Sequence, residues 1–164
     1  MREVHGRVAG DSVKRDSPAG HIGHIDVVPF EAWHLQNFSL REEQKIVAVD
    51  LTPDYAKALQ HAGPCFSAWA GYEVIAVAGV VSFWPGRAQV WALMSDQINA
   101  YGWVIHRHVV RYLSGCFVRR LECVIDPRFQ ESAAWAIRLG FKKECTMPRY
   151  GVHGQDMDMY VRYG

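Results

Sequence analysis

The stretch that decides the fold runs from Gln89 to Phe141 and alternates strand-like with helix-like segments. In chain order it reads QVWALMS (89–95), DQINAYG (96–102), WVIHRHVVRYLSG (103–115), RRLECVID (119–126) and RFQESAAWAIRLGF (128–141). The short apolar runs predict strands, and the longer amphipathic runs predict helices. A strand, a helix and a second strand in this order predict parallel pairing through a right-handed crossover.

The turn between the first of these strands and its helix carries Gln97, Ala100 and Gly102. The first amide groups of a helix have no partner inside it, so they favour an anion. Small residues at such a turn let a phosphate approach the backbone closely. The pattern therefore allows two interpretations: a site for a diphosphate-bearing ligand, or an ordinary strand–helix connection with one Gly at its bend.

The same turn resembles the GNAT superfamily of acyl-CoA N-acyltransferases. That family carries Q/R-x-x-G-x-G/A between its fourth strand and third helix, and here Ala100 replaces the first Gly. A short apolar strand at 121–125 and a helix ending in Leu-Gly-Phe at 139–141 follow in the family's order and spacing. Residues 141–148 and 155–163 can supply the two closing strands, so the resemblance covers roughly residues 22–163.

The chain also departs from the family pattern at two positions in the last helix. Many members have Asn at its start, where this chain has Phe129, and a Tyr serving as general acid, where it has Ala136 beside Trp135. In these features it looks closer to a divergent branch found in tailed phages, which includes small proteins linked to virion assembly. These departures put catalytic competence in question.

The fold class that the resemblance implies is α/β. We expect a mixed, mostly antiparallel twisted sheet with a parallel strand–helix–strand unit at about 89–125 and about four flanking helices. The residues themselves predict a first strand at 21–30, with Pro29 near a sheet edge. They also predict a short helix at 31–38 and a three-stranded meander over 64–95.

Two features of the predicted meander and its surroundings are specific. Strand 74–84 is almost wholly apolar, so it should be central and buried on both faces. Gly79 within it predicts a bulge or a close approach by another group. Before the meander, Thr52 and Pro53 predict the start of a helix that ends at Gly63.

Composition restricts the class of protein. A chain of 164 residues fits one domain, here residues 21–164, preceded by a polar arm at residues 1–20 that we expect to dock on the domain or on a partner. A net charge of +1 argues against nucleic-acid binding through bulk electrostatics. No apolar run is long enough to span a membrane, and the N-terminus has no secretory signal. The four cysteines form no C-x-x-C pair, which favours reduced thiols in the cytoplasm.

The resemblance implies acetyl-CoA as co-substrate, with its diphosphate at the backbone amides of residues 98–103 and its pantetheine along strand 90–95. An anion of this kind could also attract Arg107, although a solvated arginine is the alternative. The cofactor-binding residues expected on this basis are Leu93, Met94, Ser95, Gln97, Ile98, Ala100, Tyr101, Gly102, Trp103 and Arg107.

Catalysis would need a base, because only a neutral amine attacks a thioester. Strand 87–95 contains no Glu, Asp or His. His34 on the first short helix lies near where acceptor sites form in the family, so the resemblance makes it the candidate base. Tyr150, in the loop before the last strand, is the candidate general acid. His106 and His108 lie two residues apart and so on different helix faces, and we expect no metal site.

The leading interpretation is an N-acetyltransferase enzyme acting on an amine of a small molecule or a protein, with phage origin as a further expectation. The alternative is a non-catalytic GNAT-like protein of a phage virion or its assembly, or one that binds a host protein through the arm. Trp91 and Trp135 filling the cleft would favour the alternative. Either protein would act in the cytoplasm, that of the host or the virion if phage-encoded.

Overall fold

The computed structural model describes residues 24–36, 38–45 and 51–164. Their strands form one seven-stranded sheet in the order β1-β2-β3-β4-β5-β7-β6. Only β4 and β5 pair in parallel, and every other neighbouring pair is antiparallel. The strands are β1 (Asp26–Pro29), β2 (Cys65–Ala70), β3 (Glu73–Trp84), β4 (Arg87–Met94), β5 (Arg120–Ile125), β6 (Lys142–Met147) and β7 (Met157–Tyr163). The predicted mixed α/β architecture and its parallel unit are thus confirmed.

Helices connect and cover these strands. A 3-10 helix at Ala32–Leu35 precedes α1 (Glu42–Lys45), α2 (Pro53–His61), α3 (Ile98–Ser114) and α4 (Gln130–Arg138). Thr52 caps α2 as predicted, since its hydroxyl accepts a hydrogen bond from the Tyr55 amide at 3.2 Å. Within the described residues, no helix combines the length and the hydropathy needed to cross a membrane.

The two faces of the sheet bury different sets of residues. One face packs against the 3-10 helix and α2 through Leu35, Leu59 and Leu93. The other packs against α3 and α4, where Leu113 and Ala136 meet the strands. Because both faces are covered, the sheet is the middle layer of three, as a mixed sheet with helices on both sides requires.

β3 is central, as its apolar sequence predicts, but it is not buried throughout. Ile75 and Val77 have no exposed surface, whereas Phe83 and Trp84 are about half exposed, at 47% and 54%. The reason is that β2 pairs with β3 only as far as Gly79, so the tip of the β3–β4 hairpin extends beyond the end of β2. The predicted close approach at Gly79 is confirmed: a Cβ there would lie 2.7 Å from Cys65 Cβ and 2.9 Å from Trp91 Cζ2.

The element boundaries differ from expectation in three places. The first strand is short, Asp26–Pro29, and forms the sheet edge that Pro29 predicts, while residues 21–23 lie outside the described residues. The expected helix at 31–38 is a single 3-10 turn. α3 begins at Ile98, so that Ala100 and Gly102, expected in the turn before the helix, lie within the helix itself. The arm at residues 1–20 also lies outside the described residues.

Candidate functional site

The parallel pairing between β4 and β5 is unusually short. It comprises Arg87 with Arg120, Ala88 with Leu121, and Gln89 with Glu122. Beyond this point β4 continues to Met94 and β5 to Ile125 without further pairing to each other. The two strands therefore separate and leave a V-shaped cleft between them.

The cleft lies along one edge of the β4 backbone, where, among the described residues, no other strand pairs with it beyond Gln89. On its other edge β4 pairs with β3, and the Ser95 amide continues that ladder by donating to Ile75 O at 3.0 Å. Because successive residues of a strand direct their backbone groups to opposite edges, the amides and carbonyls of Val90, Ala92 and Met94 face the cleft. We call these groups the free edge of β4.

The cleft opens into a cavity of about 520 Å³ between the sheet and the helices α3 and α4. A volume of this size falls within the range of small-molecule sites, roughly 300–1,000 Å³. Its walls are largely apolar and include Val90, Ala92 and Met94 of β4, Cys123 and Ile125 of β5, Val109 of α3 and Ala136 of α4.

Trp91 and Trp135 line this cavity without filling it. The Trp91 ring lies against Gly79 and meets Phe30 edge-on, with ring centroids 6.4 Å apart. The Trp135 indole N–H donates to His106 Nδ1 at 3.1 Å, which ties α4 to α3. Each tryptophan is thus held by a neighbouring element, and the cavity stays open.

The N-terminus of α3 follows β4 directly and lies beside the cleft. The Gln97 side chain does not cap the helix; its amide donates instead to the Glu73 carboxylate at the tip of the β2–β3 hairpin. Ala100 and Gly102 are exposed, and nothing lies within 4 Å of the position of a Cβ on Gly102. This helix end is therefore exposed, although the amides of Ile98 and Ala100 already donate to Ser95 O and Gln97 O, each at 3.1 Å.

Comparisons with known proteins agree with this geometry. No protein-family model and no curated protein matches the sequence. Among solved structures, a mutant of the spermidine N-acetyltransferase SpeG from Vibrio cholerae superposes with a TM-score of 0.66 at 13% identity, covering 85% of this chain and 93% of that one. The ribosomal-protein-S5-alanine acetyltransferase from Vibrio fischeri gives 0.65 at 15%, with the same coverages of 85% and 93%. IAA acetyltransferase from Bacillus cereus gives 0.62 at 14%, covering 86% and 100%.

The chain has the GNAT fold. The superposed structures establish the architecture, in which the splayed β4–β5 pair has a helix N-terminus beside it. The GNAT-fold resemblance was visible in the turn at Gln97, which the structure places at the first turn of α3.

The predicted cofactor residues divide by what they present to the cleft. Met94 lines the cavity, whereas the side chains of Leu93 and Ile98 are buried in the core on either side. Of the other seven, Ser95 is buried, Tyr101 is half-buried, and Gln97, Ala100, Gly102 and Arg107 are exposed. Trp103 is 72% exposed and stacks on His106. Of these ten residues, only Met94 lines the cavity.

The two candidate catalytic residues lie apart from each other. His34 is buried beside β2, with Nδ1 2.9 Å from Ser67 Oγ and accepting from the Glu31 amide at 3.2 Å. Burial lowers the pKa of His34, so its imidazole is neutral at physiological pH. Tyr150 is 57% exposed in the loop between β6 and β7. Neither belongs to the described residues that line the cavity.

A charged network at the root of the cleft escaped the sequence analysis. Glu122 is fully buried in β5, and Arg87 donates two hydrogen bonds to its carboxylate, at 2.8 and 3.0 Å. Arg120 contacts the same carboxylate and donates to Glu144 Oε1 at 2.9 Å. The hydrogen bonds from Arg87, followed by those from Arg120, hold the pKa of Glu122 below its usual value. The signal in the sequence was a single Glu inside the apolar strand LECVI, directly after two arginines.

Two ionisable groups on the cavity wall are poorly suited to proton or acyl transfer. Asp126, at the end of β5, is bound by Arg128 with Nη2 2.6 Å from Oδ2, and this hydrogen bonding lowers its pKa. Burial raises the pKa of Cys123 to about 12, so it stays a thiol. In the part of the chain that the structure describes, no group of three or more His, Cys, Asp or Glu could hold a metal ion.

Proposed function

We propose that this chain is an acyl-CoA-dependent N-acyltransferase that uses acetyl-CoA as co-substrate. The observation that carries the proposal is the separation of β4 from β5, which leaves a strand edge without a neighbouring strand in the described part of the chain, beside an exposed helix N-terminus and above an apolar cavity. A strand edge binds the amides of an extended ligand as it would bind another strand. A helix N-terminus binds a diphosphate through its amides. A single ligand carrying amides and a diphosphate would fit both features.

Within this proposal the backbone does most of the binding. The carbonyl of Ala92 and the amide of Met94 would pair with the pantetheine, and the start of α3, residues 98–103, would receive the diphosphate. The open space at Gly102 supports close approach there. Arg107, exposed on α3, is the proposed side-chain contact for a phosphate.

Acetyl-CoA supplies the acyl group as a thioester, and the acceptor amine must lose a proton to attack it. His34 remains the proposed base, since its neutral imidazole is able to take up a proton. Tyr150 remains the proposed acid for the departing thiolate. Their placement away from the cavity wall means that the acceptor, or a water, would have to bridge to them.

The acceptor proposed is an amine of a small molecule or of a protein. Two of the superposed structures are named for acceptors of this class, spermidine and the alanine of a ribosomal protein. The apolar cavity next to the free edge of β4 suits the acyl group. The amine would approach from the opposite side of the sheet, where His34 lies.

A second proposal is a GNAT-fold protein without catalysis, acting in a phage virion, in its assembly, or on a host protein through the arm. Ala136 supports it, because this buried residue on the cavity wall has no hydroxyl to offer a leaving thiolate. The open cavity beside Trp91 and Trp135 favours the enzyme instead. Phage origin, and a site of action in the cytoplasm (that of the host, or the virion if phage-encoded), are proposed under either function.

Calorimetric titration of the full chain with acetyl-CoA tests the enzyme proposal. We expect micromolar binding that is lost in Gly102→Trp, since an indole at the open position would cover the helix N-terminus. Ser114→Trp is the matched control, because it places the same indole at the exposed C-terminal end of α3, away from the proposed diphosphate site. The absence of heat at high protein concentration would overturn the enzyme proposal in favour of the second one.

A further inference from the structure

The free edge of β4 is occupied by another part of the same chain. The Gln44 side chain donates from Nε2 to Ala92 O at 3.0 Å, and its Oε1 accepts from the Met94 amide at 2.7 Å. The Arg41 amide donates to Met94 O at 2.9 Å. Three of the backbone groups that β4 turns toward the cleft are therefore already hydrogen-bonded.

The segment that supplies these contacts, residues 40–45, lies across the mouth of the cleft. Arg41 Nε is 3.8 Å from Asp96 at the end of β4, and Arg41 Nη2 is 3.8 Å from Glu131 in the first turn of α4. Gln44 also lines the cavity. We call residues 40–45 the strap, because they contact elements on both sides of the cleft.

The strap is held loosely at its charged end. The distances from the Arg41 guanidinium to the carboxylates of Asp96 and Glu131 are longer than hydrogen bonds. Among the described residues, the buried Arg41 Nε has no hydrogen-bond partner. Glu131 and Asp96 are both largely exposed, so these ion pairs add little to stability. The hydrogen bonds to β4 are thus the main polar contacts that keep the strap in place.

The Gln44 carboxamide offers the same two groups as a ligand amide, an N–H donor and a carbonyl acceptor. The Met94 amide has one hydrogen, and Gln44 Oε1 already accepts it at 2.7 Å. A ligand amide that pairs with this position must therefore first displace Gln44. We propose that the strap competes with acyl-CoA for the free edge of β4 and that Gln44 is the competing residue, an inference that rests on the proposed function.

The competition has a measurable consequence. A protein binds a ligand only in its competent state, so the apparent affinity falls by the fraction of molecules in which the strap is displaced. Removing the Gln44 side chain deletes both of its hydrogen bonds and raises that fraction. The affinity for the cofactor should increase although a side chain at the site has been lost, which is the opposite of what a binding residue would show.

The test compares Gln44→Ala with Gln60→Ala in the full chain. Gln60 is the matched control because its Oε1 accepts from a backbone amide, that of Ala32 at 3.0 Å, away from the cleft. NMR measurement of hydrogen exchange at the Met94 amide shows, without any ligand, whether the strap protects this amide. Calorimetric titration with coenzyme A gives the Kd of each variant and so shows whether the strap competes with the ligand. Thermal unfolding of each variant checks that the fold is retained.

For Gln44→Ala we expect exchange at Met94 about tenfold faster and a Kd for coenzyme A about tenfold lower than in the wild type. For Gln60→Ala both quantities should stay unchanged. Unchanged exchange at Met94 in Gln44→Ala would overturn the strap contact. If exchange at Met94 is faster in Gln44→Ala but its Kd for coenzyme A is equal to or higher than that of the wild type, the competition is wrong. Binding of coenzyme A by the wild type would in that case still support the proposed function. Absence of coenzyme A binding in every protein would overturn both.

Discussion

Arg87 of β4 donates two hydrogen bonds to Glu122 of β5, at 2.8 and 3.0 Å, at the point where the two strands stop pairing. Glu122 has no exposed surface, whereas Arg87 and Arg120 each keep about 30% of their side chains exposed, at 31% and 28%. One buried carboxylate is thus shared between two arginines. This ion pair fixes the root of the cleft from which β4 and β5 diverge.

Replacing Glu122 with Gln should lower the free energy of unfolding by about 2–3 kcal/mol, since removing one partner of a buried ion pair leaves the other charge uncompensated. Urea denaturation at pH 7 measures the loss. Glu144→Gln is the control, because its carboxylate contacts the same Arg120 from an exposed position and should cost less. An equal loss in both variants would contradict the special role of Glu122.

Stability should fall as the solution is acidified. Hydrogen bonds from arginine lower the pKa of Glu122, that of Asp126, and that of Glu144 to about 2. A carboxyl with a lowered folded pKa stabilises above its ordinary value and loses that contribution as the pH falls through its folded pKa. The decline should therefore begin near the ordinary glutamate value of 4.5 and continue toward 2.

Urea midpoints measured from pH 7 to pH 3 follow this decline. Between pH 4.5 and 3 the urea midpoint should fall less steeply with pH in Glu122→Gln than in the wild type, because the variant has one fewer carboxyl to protonate. Identical slopes in the two proteins would mean that Glu122 contributes nothing to acid unfolding.

Two glycines should respond to alanine in opposite ways. At Gly79 the new methyl group would approach Cys65 Cβ to 2.7 Å, so Gly79→Ala should destabilise by about 1–3 kcal/mol through overpacking. At Gly102 the methyl group meets open space on a helix, so Gly102→Ala should stabilise by about 0.5–1 kcal/mol. Thermal unfolding of both variants measures these changes in stability. A change of the same sign in both would refute the steric argument.

The hydrogen bond from Trp135 to His106 should contribute measurably to the packing of α4 on α3. Trp135→Phe keeps an aromatic ring but removes the N–H donor, and we expect a loss of about 1 kcal/mol in unfolding free energy. A double-mutant cycle with His106→Ala isolates this term from the change in ring size. Additive losses in the double variant would show that the two residues are not coupled.

The sequence predicted those parts of the fold that depend on local periodicity. The order of elements from β2 to α4, the parallel β4–β5 pair and the close approach at Gly79 all follow from patterns within short windows. The exposed end of β3 was missed, because apolar residues such as Phe83 and Trp84 do not reveal where a neighbouring strand stops. That boundary is set by the length of β2, which lies elsewhere in the chain.

The candidate site was less predictable than the fold. Its backbone elements could be located from the turn at Gln97, but its side-chain contacts join residues far apart in sequence. Gln44 reaches Ala92 across 48 residues, and Arg87 reaches Glu122 across 35. Such pairs leave no periodic signal, and a polar residue in a short helix resembles any solvated one until the opposing strand is placed.

The brevity of the β4–β5 contact has a mechanical consequence. β1 to β4 form one antiparallel leaf, β5 to β7 form another, and three residue pairs join the two. Bending at this seam disturbs few backbone hydrogen bonds, whereas bending within either leaf would break a long ladder. The backbone therefore gives the junction of the two leaves little rigidity, and the shared core of Val80 and Ala88 from one leaf with Leu121 and Tyr160 from the other holds them together.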